Sequence, residues 1–346
     1  MRPAITHAAT VLCVGLLVWT VHAVEPVRAG SAFAAEVERL SEPEGYFDTD
    51  NLVSNEGSYL TVVPELLERG VGGGVYIGVG PDQNFSYIAR IRPSTAYIVD
   101  IRRDNLLLHL LFKALFAASS TRVEYLSLLT GRAPPGDLGR WRSAGIGEIV
   151  AHVDAQSPSA DRVEHVRRQL DARIAGFGIP LTTGDFSAID RFHRAFIGAG
   201  LDLKFESFGR RMPSYYPTYR ELLLATDGAG REWNYLASED DFQFLKRLQG
   251  IDGIVPVVGN LAGTEAMRRV ATTVATRGEK VSAVYISNVE TYVVRGGHFE
   301  QYVDNLRRLP HDDATVVIRS MFGRGTSRSI VDLLSTRYGP PRAPSP

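Results

Sequence analysis

Glycines, carboxamides and carboxylates gather at four places along this 346-residue chain, each beside an apolar run. The densest is GVYIGVGPDQNFSYIARIRPSTAYIVDIRRDN, residues 74–105. Gly78 and Gly80 let a backbone turn tightly beneath a ligand, and a helix starting near Asp82 aims free N–H groups at the same place. Asp82, Gln83 and Asn84 stand at that turn. Asp100 follows Gly80 by twenty residues, the spacing at which such folds use a carboxylate to hold ribose hydroxyls. Arg102 and Asn105 lie just beyond it. This order of residues suits a nucleotide or another small polar ligand. A buried strand, helix and strand around a glycine turn, with no ligand, is the plainer alternative.

The second gathering is Gly259-Asn260, and the third is Ser287-Asn288-Val289-Glu290 with Tyr292, each after an apolar run. The fourth, DTDNLVSNEGSY at 48–59, holds Asn55 and Glu56. These two either reach a ligand or belong to an ordinary helix cap. A run of tyrosines between prolines, Tyr215 and Tyr216 among them, suits a loop that covers a pocket, since each ring adds apolar area and a hydroxyl at little entropy cost. Packing on the core is the equal alternative. The chain has no Gly-x-Ser-x-Gly elbow, no phosphate-loop Gly-Lys-Ser and no His-Glu-x-x-His helix. Histidines 109, 152, 165, 193, 298 and 311 lack metal-ligand spacing, so no metal is expected. His109 reads as a packed core histidine, and His298 as a helix start or an exposed group near the pocket edge.

Strands must carry these clusters to one edge. Apolar runs at 75–79, 96–99, 254–258, 281–286 and 314–318 read as strands. Between the last three, helical spacing joins Met267, Val270, Ala271 and Val274, then Phe299, Tyr302, Val303 and Leu306. Strands alternating with amphipathic helices predict an α/β fold with a doubly wound, mainly parallel, Rossmann-like sheet of about five strands. About 150 residues separate the second strand from the third, far more than one crossover requires. A large, mostly helical insertion is therefore expected at about 106–250. Its first helix, 105–116, is apolar on almost every side and should be buried. A helix at 185–197 and a strand at 201–205 follow. A last helix is expected at 329–338, with no closing β-hairpin.

A net charge of -1 leaves no electrostatic footprint for nucleic acid. Arg2 and the uncharged run after it read as a signal peptide over residues 1–23, cut after Ala23. An uncleaved membrane anchor is the alternative, and both place the main domain outside the cytoplasm, periplasmic or secreted. Membrane contact is expected only through that segment. Cys13, the only cysteine, lies inside it. Residues 24–45 read as a linker with a short helix at 32–40, 46–325 as the folded domain, and 326–346 as a C-terminal helix with a disordered proline-rich tail.

The order of elements and the polar strand ends resemble the class I methyltransferase fold, which binds S-adenosylmethionine. GVYIGVGPDQN stands where that family carries its glycine motif, Asp100 matches its ribose acid, and Asn260 matches its adenine-contacting position. The segment at 287–292 stands where the family's catalytic strand end often reads Asn-Pro-Pro-Tyr. The resemblance implies that Asn288 orients a substrate atom, Glu290 accepts a proton and Tyr292 stacks on or hydrogen-bonds the substrate. Tyr76 replaces the acid that opens the family's motif, and Pro81-Asp82 stands where a third glycine is expected. The chain is also similar to a group of often exported bacterial proteins sharing its SNE, GVGPDQN and VDIRRDN segments, to which no reaction is attached. The implied function is an exported methyltransferase-like protein binding a nucleoside-type or other small polar ligand, with methyl transfer from S-adenosylmethionine as its specific form. Export separates the pocket from a cofactor made and used in the cytoplasm. The alternative is a non-enzymatic binding or interaction module with a vestigial pocket.

Overall fold

The structure, a computed structural model, describes residues 32–209, 211–323 and 325–339. The signal segment, the start of the linker and the tail lie outside them. Strands β1 (Val75–Gly78), β2 (Thr95–Asp100), β3 (Ile254–Val258) and β4 (Val281–Ser287) are buried almost throughout. Continuous apolar strands of this kind belong to a parallel sheet covered on both faces. With β5 (Val316–Gly323) and β6 (Thr326–Leu333) they form one sheet in the order β3-β2-β1-β4-β5-β6. All neighbours are parallel except β5 and β6. The chain winds outward from β1 to β3 and then returns to β4 on the other side of β1. That reversal opens a crevice at the carboxyl ends of β1 and β4, where open α/β sheets bind ligands.

The sixth strand corrects the expected end of the fold. β6 pairs antiparallel with β5 from Val316 opposite Leu333 to Gly323 opposite Thr326, so a closing hairpin is present. The helix expected at 329–338 is only α14 (Leu334–Tyr338). The cause is a two-residue period: Ser327, Ser329 and Val331 are buried while their neighbours are more exposed. Two of those inward residues are hydroxyls, which hides the strand from a search for apolar faces.

Helices α2 (Val63–Glu68) and α3 (Gln83–Ile91) flank β1. Between β2 and β3 come α4 (Arg103–Ala118), α5 (Arg122–Leu129), α6 (Ile146–Asp154), α7 (Ala160–Ala175), α8 (Thr183–Ala199), α9 (Tyr219–Leu223) and α10 (Glu239–Gly250). α4 is buried from Asn105 to Phe116 because it lies on β2 and β3 and beneath α7 and α8. The strand expected at 201–205 is instead a 3-10 turn, Gly200–Asp202, followed by a single bridge between Lys204 and Thr218.

Helices α11 (Ala266–Thr276), α12 (Val289–Arg295) and α13 (Phe299–Arg308) complete the second half. α1 (Ala32–Leu40) buries Phe33, Ala34, Val37 and Leu40, packing on β3 and α11. Glu42 then accepts the backbone N–H groups of Asn260 and Ala266 at 2.7 and 2.9 Å. The residues read as a linker are therefore, from Ala32 on, a fixed part of the body. Among the described residues no helix is long and apolar enough to cross a membrane.

Candidate functional site

A cavity of about 250 Å³ opens at the carboxyl edge of the sheet. Its walls come from four strand ends and the segment that precedes α2: Val79, Gly80, Pro81 and Gln83; Val99 to Arg102; Gly259 to Ala262; Ser287, Asn288, Val289, Tyr292 and Val293; and Phe47, Thr49, Asn51 and Asn55. Phe205 and His298 close it. Apolar and aromatic walls with a few convergent carboxamides are the usual make-up of a small-molecule pocket.

The glycine turn divides its work. Gly80 lines the cavity at φ +81°, where a side chain is strained. Gly78 serves packing instead, for a Cβ there would lie 2.0 Å from Asn84 Oδ1 and 2.7 Å from the Tyr76 ring. Asn84 is buried and staples the turn from within. Its Nδ2 donates to the carbonyls of Val79 and Pro81 at 2.8 and 2.7 Å, while Oδ1 accepts the Tyr76 hydroxyl at 2.8 Å. His109 Nε2 lies 2.9 Å from the Gly80 carbonyl. Burial pushes this imidazole down to about 4, so it is neutral and donates through Nε2.

Asp82 occupies the N-cap position of α3 without a side-chain capping bond and faces away from the cavity, toward the insertion. Tyr219 and Tyr235 both donate to its Oδ2, at 2.8 and 3.1 Å. Complete burial pushes its carboxyl up to about 6, against the opposing effect of those two hydroxyls. Pro81 has no N–H, and a carboxylate stands at the start of α3. This helix terminus is not a phosphate cradle.

Asp100 and Arg102 are the only full charges among the described residues lining the cavity, and they hold each other. A carboxylate has about four acceptor sites. The Arg102 backbone N and Nε take Oδ1 at 3.0 and 3.1 Å, and Nη2 takes Oδ2 at 3.1 Å. Arg102 Nη1 is bound to the carbonyls of Thr49 and Asp50 at 2.9 and 3.0 Å. One acceptor site on Asp100 remains for a ligand hydroxyl, and little of the guanidinium remains for an anion.

Asn260 Oδ1 accepts the Ala262 N–H at 2.9 Å, which leaves its Nδ2 as a donor. Gln83 Nε2 donates to the Tyr285 hydroxyl at 2.6 Å, while its buried Oε1 has no partner among the described residues. Tyr292 meets Phe47 edge to face at 4.8 Å, forming an aromatic wall. Ser287 sits at φ +51° and donates to Glu56, which lies behind it and out of the cavity.

Of the residues singled out in the sequence, Gly80, Gln83, Asp100, Arg102, Asn260, Asn288, Tyr292 and Asn55 meet at this cavity. Gly78, Asp82, Asn84 and Glu56 lie in the layer behind it. Glu290 is elsewhere: it accepts from Arg319 at 2.7 Å, Arg337 at 3.0 Å and the Tyr338 hydroxyl at 2.6 Å. Burial pushes its carboxyl up, but these three donors outweigh that and hold it below its ordinary value. Tyr215 is exposed and meets Tyr216 edge to face, and Tyr216 packs on Phe205 and Phe322. This loop reaches the cavity only through Phe205.

Phe47, Thr49, Asn51 and Phe205 escaped the sequence reading. Thr49 and Asn51 stood in a segment already dense in hydrogen-bonding side chains, which was their signal. Phe47 and Phe205 carried none. Among the described residues, no group of three or more His, Cys, Asp or Glu is placed to hold a metal ion.

The model of a family described as a domain of unknown function (DUF7790) matches residues 52–134 and 203–335, well over half the chain. A search of curated proteins finds no match. The matched spans include every cavity residue named above except Phe47, Thr49 and Asn51, and leave out 135–202, where α6, α7 and α8 lie.

Proposed function

The chain belongs to the DUF7790 family, and we propose that it binds a nucleoside-type ligand without phosphate at the carboxyl edge of its sheet. The charge distribution of the cavity carries this reading. Its one cation is consumed by Asp100 and two backbone carbonyls, and the adjoining helix terminus presents a proline and a buried carboxylate. A phosphate would enter with no counter-charge. A neutral or cationic ring-bearing ligand meets an aromatic wall, the Nδ2 donor of Asn260, one free site on Asp100 and the orphaned Oε1 of Gln83. That buried acceptor is costly to leave unpaired, and a ligand N–H or O–H would satisfy it.

S-adenosylmethionine is the specific ligand that the methyltransferase resemblance implies. The residues present fit its nucleoside half. Asp82 and Asn84 are committed to tyrosines and to the turn itself, so they offer nothing to its amino-acid half. Bound there, such a cofactor would supply an electrophilic methyl group. Asn288 and Tyr292 would face it, whereas Glu290 would not.

Calorimetric titration of the purified chain with adenosine, S-adenosylmethionine and ATP tests the reading. Adenosine or S-adenosylmethionine should bind at least about tenfold more tightly than ATP, and Asp100→Ala should weaken that binding by about tenfold, the worth of one charge-assisted hydrogen bond. ATP binding as tightly as adenosine, or an Asp100→Ala chain that binds as well as wild type, refutes it. Adenosine binding without S-adenosylmethionine binding favours the exported binding module over the methyltransferase.

A further inference from the structure

Ser287 ends β4 in a backbone conformation that serine seldom adopts. Its φ is +51°, in the left-handed region. The pairing with β5 slips at the same point, with Tyr285 opposite Ile318 and Ser287 opposite Arg319. Bulges of this kind re-aim side chains next to active sites. Two residues later α12 begins. A strand, a strained serine and a helix together make the elbow that presents a nucleophilic hydroxyl, although the flanking glycines usual for that elbow are absent.

The residue behind Ser287 is a base. Glu56 is fully buried, and its two oxygens accept the hydroxyls of Ser287 and Ser320. No cation among the described residues pairs with it. Burial pushes its carboxyl above the ordinary range, which makes the ionised form a stronger proton acceptor than a solvated glutamate. Asn288 stands beside the pair, its Oδ1 3.4 Å from Ser287 Oγ. Ser287 lines the cavity. Nucleophile and a carboxamide that can donate to an oxyanion thus share one wall, with the base directly behind the nucleophile.

We propose that Ser287 is a nucleophile activated by Glu56, and that the cavity hydrolyses small esters. Ser287 Oγ attacks the ester carbonyl carbon as its proton passes to Glu56 Oε1. The bond between that carbon and the alcohol oxygen then breaks, and the departing alkoxide takes a proton from a water molecule in the cavity. The hydroxide so formed attacks the acyl-serine, and Ser287 Oγ takes its proton back from Glu56 as the acid leaves. Ester and water are consumed, acid and alcohol are released, and no other reactant is required. This activity rests on the wall at Ser287, not on the nucleoside reading.

The test is covalent labelling of the purified full chain with a fluorophosphonate, read by intact mass and peptide mapping, with turnover of p-nitrophenyl acetate alongside. Wild type should take one adduct, on Ser287, at a rate that rises with pH as Glu56 ionises. Glu56→Gln should slow labelling by about 10²- to 10⁴-fold, the usual range for a lost general base. Ser287→Gly suits the left-handed backbone, so it should keep its circular dichroism and take no adduct. A wild-type chain without an adduct on Ser287 overturns the proposal, as does a wild-type rate independent of pH or a Glu56→Gln chain labelled at the wild-type rate. Adenosine titration of the same samples reports on the cavity separately, so an unlabelled chain that still binds adenosine sinks the esterase alone.

Discussion

Replacing Asp82 by asparagine should make the protein more stable at neutral pH. The folded state raises this carboxyl from an ordinary 3.8 to about 6, because complete burial outweighs the two tyrosine hydroxyls that stabilise the anion. At about 1.4 kcal/mol per pKa unit, ionised Asp82 costs the folded state about 3 kcal/mol above pH 6. The sign follows from proton counts. Between about pH 4 and pH 6 the folded chain keeps a proton that the unfolded chain has released. The stability this group contributes is therefore full below the unfolded value and is lost as pH rises through the folded one. Both tyrosines donate to the same oxygen, Oδ2, so an amide with its carbonyl turned toward them keeps both bonds. It gives up the bond from the residue's own backbone N–H, worth about 1 kcal/mol. The net gain for Asp82→Asn is about 2 kcal/mol near pH 7.5, shrinking to nothing or slightly below near pH 4. Urea denaturation across that range is the assay. With a slope near 3 kcal/mol per molar, the neutral midpoint should rise by about 0.7 M. Parallel stability curves for wild type and variant from pH 4 to pH 8 would refute the reasoning.

Other substitutions separate packing from binding. Gly78→Ala drives a methyl group into Asn84 and Tyr76 and should cost at least about 2 kcal/mol in thermal or urea unfolding, with ligand affinity falling only as the turn distorts. Tyr292→Ala removes the ring pair with Phe47; calorimetry should show nucleoside affinity lowered by about 1–3 kcal/mol, as for a lost stacking platform. Glu290→Ala strips Arg319, Arg337 and Tyr338 of their shared acceptor. It should cost about 2 kcal/mol of stability and leave nucleoside binding unchanged in the same titration. The folded state lowers the Glu290 pKa, so its contribution is present above the unfolded value, and the difference between variant and wild type should shrink as pH falls through the folded value.

The parallel strands were legible because burial on both faces demands unbroken apolar runs, and β1 to β4 have them. β6 was not, because its inward face carries Ser327 and Ser329, matched to the Ser58 hydroxyl rather than to hydrocarbon. Strand ends gave Asp100, Asn260 and Asn288 by position alone. Spacing around the glycine turn fixed the turn but not which way its side chains point, so Asp82 and Asn84 could not be told from ligand contacts. Glu290 and Tyr292 show the same limit. Read only as a polar strand end, both could face a ligand. They belong to α12, and residues two apart on a helix point to nearly opposite sides. Val289, Tyr292 and Val293 share the cavity side at helical spacing, which sends Glu290 to the arginines.

The layer behind the glycine turn bears on whether the cavity is vestigial. Two buried carboxylates stand there, Glu56 and Asp82, and neither has a cation among the described residues. Both are held by neutral donors: Glu56 by the hydroxyls of Ser287, Ser320 and Tyr285, Asp82 by two tyrosines that follow α8 and by its own backbone N–H. Packing does not require this, since an amide of the same shape would keep most of these bonds without the desolvation cost. At Asp82 that cost is about 3 kcal/mol, a large share of the roughly 5–15 kcal/mol by which proteins exceed their unfolded states. Raised carboxyl pKa values in such places are how folds place a proton donor or acceptor near neutral pH. A cavity kept only as a relic would lose nothing by exchanging either carboxylate for an amide. That both are carboxylates here, Glu56 in contact with a strained serine on the cavity wall and Asp82 at the N-cap position of the helix beneath it, favours the proposed ligand site over a vestigial one.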